Sequence, residues 1–213
     1  SDARRLIDWR LVELDPAHRA VRLLKPGMLL DLGGIGKGYA AQRAADVMRA
    51  RGIPRCFAAL AGDLVAGDPP PGRSGWTVAI ELAGAADPGL NLLLANAAVS
   101  SSGDTEQFIE VSGVRYSHIV DPSTGIGLTH RVAATVIAPR GELADALASA
   151  ACVLGFDHAT SLVDSFPGTG VIVSRQATET DGAVSISARD ESDVLSRSPI
   201  VVDLLKHAIE EKD

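Results

Sequence analysis

An α+β fold, with largely antiparallel sheets packed with helices, is what this sequence predicts, on three observations. Short runs of alternating apolar and polar residues come in pairs around turn-forming residues. Two longer segments, 39–52 and 141–155, carry apolar residues at helical spacing. The two kinds of segment do not alternate strictly, as a parallel strand–helix fold would require.

Each element follows from local chemistry. "RLVELD", the turn "DPAH" and "AVRLLKPG" predict short strands around a turn within residues 6–30, with Gly27 ending the run. "MLLDL" (28–32) is a further short apolar run. After a glycine cluster, "YAAQRAADVMRARG" (39–52) predicts a helix that Gly52 and Pro54 stop. "RCFAALAG" (55–62) predicts a buried strand and "DPPPGRSG" (68–75) a loop. "WTVAIEL" (76–82) and "LNLLLANAAVSSS" (90–102) predict strands. "QFIEVSG" (107–113) and "VRYSHIV" (114–120) predict a hairpin around Ser112-Gly113. "DPSTG" (121–125) is a tight turn. "RVAATVIAP" (131–139) predicts a strand, and "GELADALASAACVLG" (141–155) a helix stopped by Gly155. A shorter helix (156–165) and the strand "GTGVIVS" (168–174) follow. Residues 175–198 read as a polar tail with a turn at "TDGA". An amphipathic helix with proline at its start is expected over 199–213.

Composition narrows the function. With 46% hydrophobic but only 4% aromatic residues, the core must be built mostly from Ala, Val, Leu and Ile. The 27 acidic against 20 basic residues, net −7, argue against non-specific nucleic-acid binding, which rests on neutralising phosphates. A phosphorylated small molecule stays open where a local site or a metal supplies positive charge. Cys56 and Cys152 lack metal-ligand spacing and sit in apolar segments, so buried free thiols are expected. No run of about 18 apolar residues predicts a membrane span, and the segment "SDARRLIDWR" has no apolar core of a signal peptide.

Four stretches could carry chemistry. "DLGGIGKGYA" (31–40) puts glycines 33, 34, 36 and 38 and Lys37 at a helix start. It matches neither the dinucleotide fingerprint nor the P-loop. Glycines still let backbone N–H groups approach a ligand at the positive end of a helix, where Lys37 adds a point charge. A glycine-lined turn packing a helix on a sheet explains it as well. "SHIVDPSTG" (117–125) offers His118 as a proton acceptor, or merely an exposed histidine before an Asp-capped turn. "LADALASAA" (143–151) puts Asp145 and Ser149 one turn apart on a helix face. Two oxygen ligands so spaced suit Mg²⁺ completed by phosphate oxygens; an aspartate is also favoured in a first helical turn by the macrodipole. In "SSSGDTEQF" (100–108), Ser102, Gly103 and Asp104 are expected to form a hydroxyl-rich turn at a strand end that holds a ligand or is only a loop.

Taken together, "DLGGIGKGYA", "AGDL" (61–64), "AVSSSGDTEQF", "YSHIVDPSTG" (116–125) and "ADALASAACVLG" (144–155) resemble, in content and order, the ApbE family of FAD:protein FMN transferases. The resemblance implies an enzyme that uses Mg²⁺ to cleave the pyrophosphate of its substrate FAD. It would move FMN onto a Thr or Ser hydroxyl of a target protein and release AMP. The usual acceptor is a flavoprotein subunit of a membrane redox complex. By the same resemblance Asp145, Ser149 (Thr in most of the family) and the Gly36 carbonyl would hold the metal. Lys37, Gly34, Gly62, Asp63, Ser102, Gly103, Asp104, Asp121 and Thr124 would line the nucleotide, and His118 would activate the acceptor hydroxyl. Gln42 stands where the family has an acid, which implies a weaker contact on the cofactor side. The family usually carries a further N-terminal region, so a single ApbE-like domain over 1–213 lacking that part is expected. The family also implies a periplasmic or membrane-associated setting. The competing expectations are a non-catalytic FAD-binding protein and an FAD pyrophosphatase giving FMN and AMP.

Overall fold

The structure, a computed structural model, describes residues 2–80, 90–103, 107–176 and 182–188. β1 (Val12–Asp15) and β2 (Ala20–Leu23) form the expected first hairpin. α1 (Gly36–Ala50) begins inside the glycine cluster, three residues before the apolar periodicity does. β3 (Phe57–Leu60) and β4 (Asp63–Ala66) follow, then β5 (Trp76–Ile80) and β6 (Leu90–Leu94), then β7 (Ala98–Gly103). β8 (Phe108–Val111) and β9 (Val114–Ser117) make the hairpin expected at Ser112-Gly113. Both turn residues have positive φ, 53° and 76°, the conformation that matches the twist of a two-residue hairpin. β10 (Val120–Asp121) and β11 (Ile126–Gly127) flank the "DPSTG" turn. β12 (Val132–Ala138), α2 (Gly141–Leu154), a 3₁₀ segment (Ala159–Ser165), β13 (Gly170–Gln176) and β14 (Gly182–Ala188) complete the order.

The central sheet has six strands in the order β14-β13-β12-β7-β4-β3, with every neighbouring pair antiparallel. Period-two alternation gives it two apolar faces. Val132, Ala134, Val136 and Ala138 of β12, with Val171 and Val173 of β13, meet Ala41 and Ala45 of α1 and Ala144, Leu147, Ala148 and Ala151 of α2. Ile137 and Ile172 point the other way, onto Val78, Ile80, Leu92 and Leu94 of the β5–β6 hairpin. The scarcity of aromatics is answered by small side chains, which let the helices sit close to the sheet. Cys56 and Cys152 are buried free thiols, as expected. No described helix is long and apolar enough to cross a membrane.

Four local expectations change. Residues 57–60 are an edge strand with Ala59 and Leu60 exposed, because the sheet continues only on the β4 side. The run 90–102 breaks into β6 and β7 at Asn96, whose φ is 52°. The polar tail contains β14, which pairs with β13 from Gly182 to Ala188. The apolar run "MLLDL" is mostly not core: Met28 is buried, but Leu29, at 92% exposure, faces solvent. The helix expected over 199–213 lies outside the described residues.

Candidate active site

The two helices meet at a glycine pair. A Cβ on Gly38 would lie 2.2 Å from the Gly141 carbonyl oxygen and 2.7 Å from the Asp145 Cβ. A Cβ on Gly141 would in turn lie 2.3 Å from the Gly38 oxygen. Only glycines allow this approach. Neither helix is capped by its own N-cap residue, Ile35 or Arg140. Each is capped by the other. Asp145 Oδ2 of α2 accepts the Gly38 N–H at 2.9 Å, and Gln42 Oε1 of α1 accepts the Gly141 N–H at 2.9 Å. Orphan N–H groups of both first turns are thereby satisfied inside the protein.

Gln42 thus has a structural task that its place in the motif did not suggest. The side chain is 3% exposed and serves the helix junction, with its amide nitrogen donating to Asp46 Oδ1 at 2.9 Å. Gln42→Leu should cost about 1–3 kcal/mol, the penalty for a buried donor left without an acceptor. Urea unfolding of the variant measures it; an unchanged midpoint would show that water replaces the cap.

Asp145 is 1% exposed and sits at the centre of a charged group. Lys37, the second residue of α1, places its Nζ 2.6 Å from Asp63 Oδ2 and 3.5 Å from Asp145 Oδ1. Burial acts to lower the Lys37 pKa, but the hydrogen bond and charge of Asp63, then the charge of Asp145, outweigh it and hold the pKa above the ordinary lysine value. The side chain remains 43% exposed, so the ammonium is charged at neutral pH and reaches solvent. Asp63 is 2% exposed, and its other oxygen accepts the Ser100 hydroxyl at 2.6 Å.

One turn further along α2, Ser149 Oγ lies 3.2 Å from Ser102 Oγ. A Cβ on Gly34 would be 3.5 Å from Ser149 Oγ, so the glycine cluster reaches this point too. Gly36 opens α1. Gly103 ends β7 beside Ser102. Gly62 lies in the exposed turn between β3 and β4, next to Asp63. Asp104 lies outside the described residues.

The "SHIVDPSTG" residues lie apart in the hydrogen-bond network: among the described residues none of their hydrogen bonds reaches Lys37, Asp63 or Asp145. His118 follows β9 and is exposed, with Nδ1 3.1 Å from the Gln107 carbonyl oxygen. A carbonyl only accepts, so the neutral ring is assigned its proton on Nδ1, which leaves the Nε2 lone pair free. Asp121 Oδ1 accepts the Ser123 N–H and hydroxyl, both at 2.7 Å, and Oδ2 accepts the Thr124 hydroxyl at 3.2 Å. The Ser123 bonds, then those from Thr124, hold the Asp121 pKa below the usual carboxylate value. Both residues therefore spend polar atoms on their own turn.

The possible metal ligands along this face of α2 are oxygens: the Asp145 carboxylate, the Ser149 hydroxyl and, 3.2 Å from it, the Ser102 hydroxyl. That set fits a hard cation such as Mg²⁺. Among the described residues no three His, Cys, Asp or Glu side chains converge on a metal position. Phosphate oxygens and water would have to complete the shell, as is usual for Mg²⁺. Sequence reasoning gave no individual role to Ser100 or Gly141. Parity along β7 carried the signal for Ser100: it shares a face with Ala98, which packs against the helices.

A model of the ApbE family matches residues 1–173. A protein named FAD:protein FMN transferase from Treponema pallidum is 35% identical over 167 residues, covering 73% of this chain and 46% of that protein. One of the same name from Escherichia coli K12 is 33% identical over 145 residues, covering 65% of this chain and 40% of that protein. The matched segment is thus less than half the length of either relative. The crystal structure of an ApbE protein from Thermotoga maritima superposes with a TM-score of 0.76 at 31% identity, covering 87% of this chain and 60% of that one. The apo form of a flavinyl transferase ApbE from Pseudomonas stutzeri gives 0.75 at 26%, covering 92% and 59%.

Proposed function

Because the chain belongs to the ApbE family, we propose that it transfers FMN from FAD to a Thr or Ser hydroxyl of a flavoprotein, with Mg²⁺, releasing AMP. The observation that carries this reading is the convergence of Lys37, Asp145 and Asp63, three residues from separate sequence blocks, at the mutually capped start of α1 and α2. The exposed side of the Lys37 ammonium has a donor to spare for a pyrophosphate oxygen. The Asp145 carboxylate and the Ser149 hydroxyl, one turn apart, would hold Mg²⁺, with the Gly36 carbonyl and Ser102 beside them. When bound, the ion neutralises developing charge on the phosphate oxygens. Gly62, where an added Cβ would meet nothing within 4 Å, leaves space for the nucleotide; Gly34 and Gly103 would line it, and Asp104, Asp121 and Thr124 would flank it.

His118 is the proposed base. With Nδ1 engaged by Gln107 O, its free Nε2 takes the proton of the acceptor hydroxyl. The hydroxyl oxygen bonds to the phosphorus on the FMN side, the bond from that phosphorus to the bridging oxygen breaks, and AMP leaves with that oxygen. The acceptor is proposed to be a subunit of a membrane redox complex, and residues 1–213 to act as one domain.

Incubation with FAD, Mg²⁺ and a Thr-bearing acceptor peptide tests the reading. AMP with covalently bound FMN supports transfer. AMP without label indicates hydrolysis by water at the same residues. FAD bound and intact would leave only a binding role. His118→Ala is expected to slow turnover about 100-fold, within the usual range for general-base loss, with FAD affinity nearly unchanged. Equal losses in turnover and affinity would make His118 structural.

A further inference from the structure

We propose that Ser100, acting through Asp63, is a positioning residue that fixes where the Lys37 ammonium stands; its functional meaning rests on the reading of Lys37 as a phosphate contact. Asp63 begins β4, and Ser100 lies in the adjacent strand β7, where Leu64 pairs with Val99 and Val65 with Ala98. The two side chains are 2% and 1% exposed. Among the described residues, the buried carboxylate accepts one side-chain donor on each oxygen: the Ser100 hydroxyl on Oδ1 and the Lys37 ammonium on Oδ2, both at 2.6 Å.

A lysine side chain has four rotatable bonds and, at 43% exposure, much of solvent to explore. What restrains it is the direction of the Asp63 Oδ2 lone pairs. That direction depends on the rotation of the carboxylate, which the Ser100 bond sets from the opposite oxygen. Two rigid strands hold both parts of the restraint, so the ammonium is aimed before any ligand arrives. A serine that merely satisfied its own hydroxyl could have used a nearby carbonyl. Instead it bonds the carboxylate that carries the lysine. Among the described residues no hydrogen bond joins Ser100 to Lys37, so its effect on the ammonium passes through Asp63.

The test separates positioning from phosphate recognition. Acetylation of the full chain by acetic anhydride, mapped by mass spectrometry, reads how well Lys37 is held. FAD titration reads what that position contributes. Ser100→Ala should raise the Lys37 acetylation rate about 5-fold or more. It should weaken FAD binding about 10-fold with Lys37 present but less than about 2-fold in a Lys37→Met background, the signature of two residues acting as one unit. Asp63→Asn, which keeps an acceptor for Ser100, should release Lys37 in the same way and gives the same comparison if Ser100→Ala folds poorly. Unchanged Lys37 reactivity in a folded Ser100→Ala or, where that variant does not fold, in Asp63→Asn, or equal losses of FAD affinity with and without Lys37, would overturn the proposal. If Lys37 becomes reactive while Lys37→Met leaves FAD affinity unchanged, positioning stands and the phosphate contact falls.

Discussion

Asp145→Asn is expected to reduce Mg²⁺-dependent AMP release at least about 100-fold, the scale on which losing a charge-stabilising group acts, while costing only about 1 kcal/mol of stability. The two effects would separate because Asp145 has one structural bond and, under the proposed function, a metal to hold. Its Oδ2 accepts the Gly38 N–H at 2.9 Å, a bond that the asparagine oxygen can keep. The negative charge that a divalent cation needs is lost, and so is the charge facing Lys37 at 3.5 Å. Asp145→Ala removes both tasks, leaves a buried N–H without its partner, and should cost about 1–3 kcal/mol in addition to the activity. Turnover with Mg²⁺ titration and urea unfolding of both variants give the comparison. Wild-type Mg²⁺ dependence in the asparagine variant would remove Asp145 from the metal site.

Gly38→Ala should destabilise the fold by about 3 kcal/mol or more, at the upper end for overpacking, and abolish activity with it. The added methyl would sit 2.2 Å from a backbone oxygen of α2 and 2.7 Å from the Asp145 Cβ. Neither neighbour is the flexible end of a side chain, so the helices must part. Parting breaks the Asp145 and Gln42 caps together and moves the carboxylate away from Lys37. Gly36→Ala, two residues earlier, is the contrast. Its nearest neighbour would be the Leu32 Cβ at 3.8 Å, so alanine fits and should leave stability unchanged or raise it by up to about 1 kcal/mol through helix propensity. Equal urea midpoints for the two variants would refute the contact at Gly38.

The glycines of "DLGGIGKGYA" thus have different reasons to be there, and the sequence alone does not sort them. The stretch was readable both as a ligand turn and as a packing turn. In the structure Gly38 is a packing glycine, Gly34 faces Ser149, and Lys37 leaves the helix toward two carboxylates. Gln42 shows the same limit. Its position matches one where the family has an acid, which pointed to the cofactor side, yet it caps α2. Hydrogen-bond partners 99 residues apart leave no mark in local pattern.

Alternation, helical spacing and turn residues determined by themselves that the fold is α+β, that the hairpin turns at Ser112-Gly113, and that helices end near Gly52 and Gly155. These are local matters of backbone sterics and of which side chains share a face. The order of motifs likewise determined the family. Tertiary structure alone decided that "FAAL" is an edge strand, that a strand runs through the polar residues after 181, and that Ser100, Asp63, Lys37 and Asp145 form one group. Which strand lies at an edge, and which buried carboxylate meets which donor, depends on packing between distant segments. A short buried polar side chain is placed by the backbone that carries it, and that backbone is placed by the whole sheet.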